Sequence, residues 1–193
     1  MKQRETLSGV LILWVCGGLA LAQVPGSCDR PTVSQLEDRF VGAAEREVVP
    51  AADAMPEEKY SFAPTNGEFK KVRTFAEMVK HVAAANYGMA AAILHEKPPV
   101  KLETQSDLDA IQTKADIMMF LKGSFAYLHK AFGSITEKNQ TDMIRSPDSD
   151  KPLARLEVAD RALWHCNNHY GQMVMYLRMN GIVPPASRHE SRG

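Results

Sequence analysis

Four long stretches of the sequence place apolar residues three and four positions apart, which is the spacing of an amphipathic helix. The third stretch is the clearest, and its apolar stripe comprises Met118, Leu121, Phe125, Leu128 and Phe132. No comparable stretch alternates apolar and polar residues as a half-buried strand does. Each stripe has to be covered by another element, and four helices of about 20 to 30 residues cover one another in a bundle. The sequence therefore predicts an all-α fold, a four-helix bundle with long inter-helix loops.

Apolar spacing, a capping box and breaking residues together predict where the first two helices begin and end. The first is expected from Val33 to Ala54, with Pro50 kinking or ending its last turn. The second is expected to begin after Thr74 and to continue to about Leu94, because Thr74 and Glu77 have the spacing of a capping box.

The remaining two helices are bounded in the same way. The third is expected over about residues 106–135 and the fourth over about residues 152–180, with Gly181 as the C-terminal cap. Long loops are expected over 55–72 and 136–150, which are interrupted by proline.

The N-terminus has the pattern of a secretory signal peptide. Lys2 and Arg4 precede an apolar run, and Ala20-Leu21-Ala22 has the small-x-small pattern of a cleavage site. The run is shorter than the roughly 20 residues of a membrane-spanning helix, and an uncleaved anchor is the alternative. We expect cleavage after Ala22, a periplasmic or secreted protein, and no stable membrane insertion after cleavage.

The chain length and the charge balance constrain domain number and partners. The 193 residues suit one domain, expected over 33–187, after a signal peptide over 1–22 and a flexible leader over 23–32, with a disordered tail over 188–193. Lys plus Arg equals Asp plus Glu, so the formal net charge is zero. Non-specific nucleic-acid binding needs a basic surface, and we therefore expect a small-molecule ligand and no nucleic acid. A monomer and a homodimer both remain open.

Two cysteines remain after the expected cleavage, Cys28 and Cys166. An oxidising compartment would allow them to pair. Because Cys28 lies in the expected leader and Cys166 inside a helix, the favoured interpretation of Cys166 is a small buried apolar side chain.

The chemistry is concentrated on the fourth helix, where His165 and His169 are four residues apart. This spacing places both imidazoles on one face, one turn apart, where they can share one metal ion. Val158 and Ala162 lie on the same stripe, so the pair faces the core. Inward-facing histidines either find hydrogen-bond partners or bind a ligand, and the spacing alone leaves both interpretations open.

On the second helix, His81 shares its stripe with small residues, among them Ala84, Ala85 and Gly88. These leave space for a ligand beside the imidazole, or for a close helix contact with His81 bonded to a backbone carbonyl. Gly88 lowers helix stability relative to alanine, which indicates that the space is used. His95, His129 and His189 are weaker candidates: His95 at the end of the second helix, His129 solvated at the edge of the third, and His189 in the tail.

Three further side chains are candidates for supporting roles. Gln172 is expected either to orient a ligand or to cap a buried polar group. Tyr176 is expected either in the core or at the site. Glu77 is expected to accept a hydrogen bond behind His81 or to act only as a helix cap.

Four segments together resemble the DinB-like superfamily of four-helix-bundle metalloenzymes, over about Val33 to Ser187. They are His165-x-x-x-His169-Tyr170-Gly171-Gln172, the stretch from Tyr176 to Ser187, Met55 to Phe62, and Thr74 to His81. The resemblance implies that one histidine of the second helix and two of the fourth bind a divalent metal, which corresponds to His81, His165 and His169. Many members have two adjacent histidines where this chain has Asn168-His169, and Ala63 replaces the arginine expected before Pro64.

Three neutral imidazoles leave a divalent ion with its full charge and with open coordination positions, a pattern typical of catalytic rather than structural sites. Zinc or nickel is expected first, with iron or manganese as alternatives. The favoured hypothesis is a metal-dependent hydrolase of a small molecule. A non-catalytic metal- or ligand-binding module, a structural metal, and a thiol-dependent transferase like those among the relatives are the alternatives. Low-molecular-weight thiols are cytosolic, so the expected export argues against the transferase.

Overall fold

The computed structural model describes residues 30–102 and 104–188. Apart from Arg30, the described residues belong to one compact unit that begins at Pro31. The helices within them are α1 (Val33–Ala54), α2 (Phe75–Leu94), α3 (Gln105–Asp109), α4 (Lys114–Gly133) and α5 (Arg155–Met179). Short 3₁₀ turns cover Glu57–Lys59 and Pro185–Ser187, and two-residue strands β1 (Met143–Ile144) and β2 (Leu153–Ala154) pair antiparallel. The predicted all-α fold is confirmed.

The first two helices begin where they were predicted, α1 from its apolar spacing and α2 from its capping box. Thr32 accepts the backbone N–H of Gln35, and Thr74 accepts that of Glu77, with the Glu77 carboxylate returning to the Thr74 N–H. Pro50 does not end α1, which continues to Ala54. A proline removes one backbone donor, but the next residues of the helix are packed in the core and hold its last turn in place.

The single third helix predicted over 106–135 is wrong. The chain forms the short helix α3, breaks at residues 110–113, and begins α4 only after Thr113. The Thr113 hydroxyl accepts the backbone N–H of Asp116, which is an N-cap that starts a new helix. The periodic apolar pattern continues across the break, and for this reason the pattern alone did not reveal it.

The fourth predicted helix, α5, begins at Arg155 rather than at Pro152. Leu153 and Ala154 pair with the strand Met143–Ile144, so their backbone groups belong to a short ladder and not to the helix. That pairing lies at the edge of the predicted loop 136–150, where no strand was expected. Gly181 has φ +73° and follows the helix end as predicted, since this conformation favours glycine.

The four long helices form the bundle. Both α1 and α2 pack against α4 and α5, so each helix covers its apolar stripe with two neighbours. The predicted α4 stripe is buried throughout, from Met118 to Phe132. Within the residues described, no helix is long and apolar enough to cross a bilayer. The expected signal peptide, the leader as far as residue 29 and the tail from residue 189 lie outside the described residues.

A buried polar chain joins three helices in the middle of this core. Asn86 on α2 accepts from the Cys166 thiol on α5 (Sγ to Oδ1, 3.2 Å) and donates to the Ser124 hydroxyl on α4 (Nδ2 to Oγ, 3.2 Å). Ser124 in turn donates to the Leu121 carbonyl at 2.7 Å. Cys166 is fully buried, as expected, and unpaired; Cys28 lies outside the described residues.

Replacing Asn86 with alanine should lower the free energy of unfolding by about 2 to 3 kcal/mol, because it creates a cavity and leaves the Cys166 thiol without its acceptor. Urea unfolding measures the change. The exposed Asn168, also inside a helix, is the matched control, and Asn168→Ala should stay within about 0.5 kcal/mol of the parent protein. Equal losses in the two variants would show that the buried chain adds no stability.

Candidate metal centre

The three predicted histidines come from two packed helices. His81 lies on the second turn of α2, whose start is set by the Thr74–Glu77 capping box. His165 and His169 lie one turn apart on α5, which packs against α2. The buried bond between Asn86 and Cys166 joins the same two helices, and Cys166 directly follows His165. Local helix geometry and this contact therefore bring the imidazoles together.

The ring centroids of the three histidines form a compact triangle. They are 4.9 Å apart for His81 and His165, 4.8 Å for His81 and His169, and 4.5 Å for His165 and His169. The Nε2 atoms of His81 and His165 are 3.0 Å apart, and one ligand atom from each residue lies within 4.8 Å of the others. The three side chains are thus close enough to hold one metal ion. The expected convergence of the second and fourth predicted helices is confirmed.

The donor set fits a divalent metal. Bonds of about 2.0 to 2.1 Å from two imidazoles to one ion separate their nitrogens by roughly 3 Å, as His81 and His165 already are. The buried Nδ1 atoms of His165 and His169 have no hydrogen-bond partner among the described residues. A ring that coordinates through one nitrogen usually donates from the other, so each of these Nδ1 atoms is free either to bind the ion or to donate to a water behind the ring. Metal binding by these residues, and the identity of the ion, stay predictions.

Burial keeps the three imidazoles neutral. Desolvation lowers the pKa of His81 and of His165 to about 4, with further lowering from the positive charge of Arg73 and from neighbouring imidazoles. The pKa of His169 is lowered by burial and by Arg73, while the side chain of Gln172 acts in the opposite direction. Neutral imidazoles have a lone pair free for a metal at neutral pH.

The candidate supporting residues divide into two groups. Gln172 interacts with His169, in agreement with a role beside the site. Tyr176 is buried against Phe62 and Phe75, and its hydroxyl donates to the Arg73 carbonyl at 2.9 Å. It is therefore a core residue that also holds the backbone at Arg73.

The Glu77 carboxylate accepts the backbone N–H of Thr74 at 2.7 Å, in agreement with the capping interpretation of Glu77.

A cationic cavity of about 620 Å³ opens beside His81. Its charged lining consists of Lys71, Arg73, Lys80, Glu77 and Asp109. Sequence reasoning missed Arg73, which immediately precedes the cap of α2. The sequence signal that could have identified it is its position directly before the helix that carries His81.

An apolar pocket of about 270 Å³ lies on the other side, between α2 and α5. Ala84, Ala85 and Gly88 line it, and this confirms the expectation that the small residues leave space beside His81. The other parts of its wall come from Trp164, which is 67% exposed, and from Pro147 in the loop before α5. The loop itself was predicted from the sequence, but neither its place beside the histidines nor that of Trp164 was.

A salt bridge ties this loop to α5. Arg161 donates to the Asp148 carboxylate at 3.2 Å, and Asp148 also accepts from the Ser146 hydroxyl. The loop is thereby held over the pocket next to His165.

Family comparison agrees with this geometry. The sequence model of the DinB superfamily matches residues 42–173, more than half of the chain. The chain belongs to the DinB superfamily. A DinB-like protein from Bacillus cereus ATCC 10987 has a similar crystal structure, with TM-score 0.58 and 17% identity over 76% of this chain and 93% of that one. A conserved protein from Enterococcus faecalis is similar at TM-score 0.62 and 17% identity, over 78% of this chain and 98% of that one. No curated protein matches the chain.

One departure from the DinB pattern adjoins a histidine of the site, and a second lies in the loop before α2. Asn168, which stands where many members have a second histidine, is exposed on α5. Ala63, which replaces an expected arginine, is half-buried in the loop before α2. The triad of this DinB protein is complete without either residue.

The remaining histidines take structural positions. His129 is half-buried rather than solvated as expected: its Nδ1 faces Asp38 Oδ1 at 2.5 Å and its Nε2 faces Glu45 Oε2 at 3.2 Å, which links α4 to α1. Burial opposes its charge, but the two carboxylates raise its pKa overall. His95 ends α2 in the left-handed conformation, as its predicted place implied, and contacts Arg155 at 2.8 Å. His189 lies outside the described residues.

The metal-free protein should lose stability as pH falls from about 6.5 to about 4. In that window the unfolded chain binds protons on His81 and His165, whereas the folded chain, with both pKa values lowered to about 4, does not. The contribution of these two histidines to the free energy of unfolding therefore rises with pH in the window and levels off above it. Urea unfolding in EDTA at several pH values measures this slope. His165→Asn removes one such group and should flatten the slope, and an unchanged slope would contradict the burial of neutral imidazoles.

Proposed function

We propose that the protein is a metal-dependent hydrolase of a small molecule, with one divalent ion held by His81, His165 and His169. The observation that supports this most strongly is the convergence of three neutral imidazoles, half-buried at His81 and His165 and buried at His169, with His81 lining two cavities. A purely structural site would use four protein ligands and would not need open space beside it.

The ion, when bound, supplies Lewis-acid polarisation of a substrate oxygen and activation of water near neutral pH. Zinc or nickel suits three imidazoles, and iron or manganese is also compatible with nitrogen ligands. The chain's own residues determine where the substrate lies relative to that chemistry.

Arg73 is proposed to bind negative charge on the substrate. It is exposed in the cationic cavity that His81 also lines, and the Tyr176 hydroxyl holds its backbone carbonyl. Gln172, which interacts with His169, is proposed to orient that ring. In the overall reaction, water adds to an acyl carbon, the bond from that carbon to nitrogen or oxygen breaks, and the leaving atom takes the proton.

The cellular setting is part of the proposal. The N-terminal pattern supports export to the periplasm or beyond, and the balanced charge supports a small molecule rather than nucleic acid as the ligand. Export separates the protein from cytosolic thiols, which favours hydrolysis over thiol transfer. A non-catalytic binding module is the second candidate, because the two cavities would also serve a ligand that is not cleaved.

Purified wild-type protein should contain close to one divalent ion per chain, and His165→Ala should lose most of it because two imidazoles bind far more weakly than three. Inductively coupled plasma mass spectrometry measures the content. His129→Ala is the matched control, since His129 is a half-buried helix histidine outside the triad, and should keep its ion. Equal metal content in the wild type and His165→Ala would remove the enzyme hypothesis.

Hydrolysis should appear in a screen of small esters, amides and lactones, and chelation should abolish it while leaving the helical content unchanged. Turnover is measured against free metal at the same concentration. A fall in melting temperature on chelation, with no activity to lose, would instead show a structural ion.

A further inference from the structure

Two chemically different cavities share one wall residue of the candidate metal centre. His81 lines both the cationic cavity and the apolar pocket, and His165 lines the apolar pocket. A small molecule that passes the His81 imidazole would have one end in each space. Each space then selects a different part of the same ligand.

The cationic cavity has three cations against the two carboxylates of Glu77 and Asp109, and this excess favours an anionic group. Of its three cations, Lys80 already donates to the backbone carbonyls of Leu108 and Ile111, at 3.0 and 3.3 Å, and so holds the segment around α3 against α2. Arg73 and Lys71 are exposed in the same cavity. The guanidinium of Arg73 has the planar donor geometry that binds carboxylates through two hydrogen bonds.

The apolar pocket favours an uncharged group. Its charged wall residues are paired with each other or with a neighbour: Arg161 lies 3.2 Å from Asp148 and 3.6 Å from Glu157. The other walls are small aliphatic side chains of α2, Pro147 and the indole of Trp164. A cavity of about 150 Å³ accommodates benzene, so about 270 Å³ has room for one ring with a short linker.

We infer that the ligand is a small acyl compound whose uncharged apolar acyl group occupies the pocket and whose leaving part has an anionic group near Arg73. The amide or ester bond between the two parts then lies at the histidines. Hydrolysis breaks the bond from the acyl carbon to nitrogen or oxygen, puts the water oxygen on the acyl carbon, and leaves the proton on the departing atom. The cleavage of this bond rests on the proposed function. The orientation of the ligand, with its apolar group in the pocket and its anionic group near Arg73, does not.

The binding test uses N-benzoylglycine, which has a ring, an amide and a carboxylate in that order. N-acetylglycine lacks the ring, and N-benzoylglycinamide lacks the charge. The full-length chain with Trp14→Phe keeps Trp164 as its only tryptophan, so its fluorescence reports on the apolar pocket directly. Titrations are run in EDTA and with zinc. In both conditions N-benzoylglycine should bind about tenfold more tightly than N-acetylglycine and than N-benzoylglycinamide.

Variants show which cavity is responsible for each gain in affinity. Ala84→Leu fills the pocket and should abolish the advantage over N-acetylglycine, while Ala92→Leu, on the same helix outside the pocket, should keep it. Arg73→Gln should abolish the advantage over N-benzoylglycinamide, while Arg39→Gln, at an exposed arginine of α1, should keep it.

A second pocket variant guards against misfolding of the first. A Cβ at Gly88 would lie 3.6 Å from Pro147 Cγ, an ordinary contact, so Gly88→Ala should fold and reduce the gain from the ring by about threefold.

Equal affinity for the three probes, or gains that survive Ala84→Leu, Gly88→Ala and Arg73→Gln, would overturn the inferred ligand class. Selective binding of N-benzoylglycine without its cleavage would support the ligand class while counting against the hydrolase, so the two proposals fail separately.

Discussion

The contact between α2 and α5 is the interaction on which the candidate centre depends. Asn86 and Cys166 meet in the core and fix the register of the two helices, so that His81 and His165 approach with their Nε2 atoms 3.0 Å apart. The helix repeat then adds His169, one turn beyond His165. A shift of one residue along either helix would rotate its histidine by about 100° and disperse the set. The buried hydrogen bond therefore supports both the site and the fold.

Burial determines what this set of side chains can do. Three imidazoles removed from water and placed near Arg73 bind protons weakly, and each keeps a lone pair available. Desolvation makes it costly to place a proton on each ring separately. One metal ion shared by the three rings is compatible with the same burial, because that ion forms three bonds to nitrogen. The cationic cavity and the apolar pocket then give the centre two chemically distinct sides.

Sequence periodicity was sufficient for the parts of the structure that local geometry determines. Apolar spacing identified the bundle and the start of α1, the Thr74–Glu77 capping box located the start of α2, and the i,i+4 histidines located one face of the site. The prediction that His81 lies beside His165 and His169 came from the family resemblance and from the small residues on the same stripe of α2 as His81. The break at residues 110–113 was missed because the apolar pattern continues across it.

The features that were not predicted depend on contacts between distant parts of the chain. Arg73 and Trp164 reach the two cavities only after α2, α5 and the loop at Pro147 have packed. His129 is likewise held by Asp38 and Glu45, 91 and 84 residues away in sequence. Such long-range contacts leave no local signal in the sequence. A single polar residue on the outer face of a predicted helix has the same sequence pattern whether or not a distant residue contacts it.

A crystal structure with X-ray data on both sides of the absorption edge of the bound metal tests the central claim most directly. The account predicts one anomalous peak about 2.0 to 2.2 Å from a ring nitrogen of each of His81, His165 and His169, with an open position toward the cavities. A peak elsewhere, or density showing His81 turned away from the two histidines of α5, would contradict it.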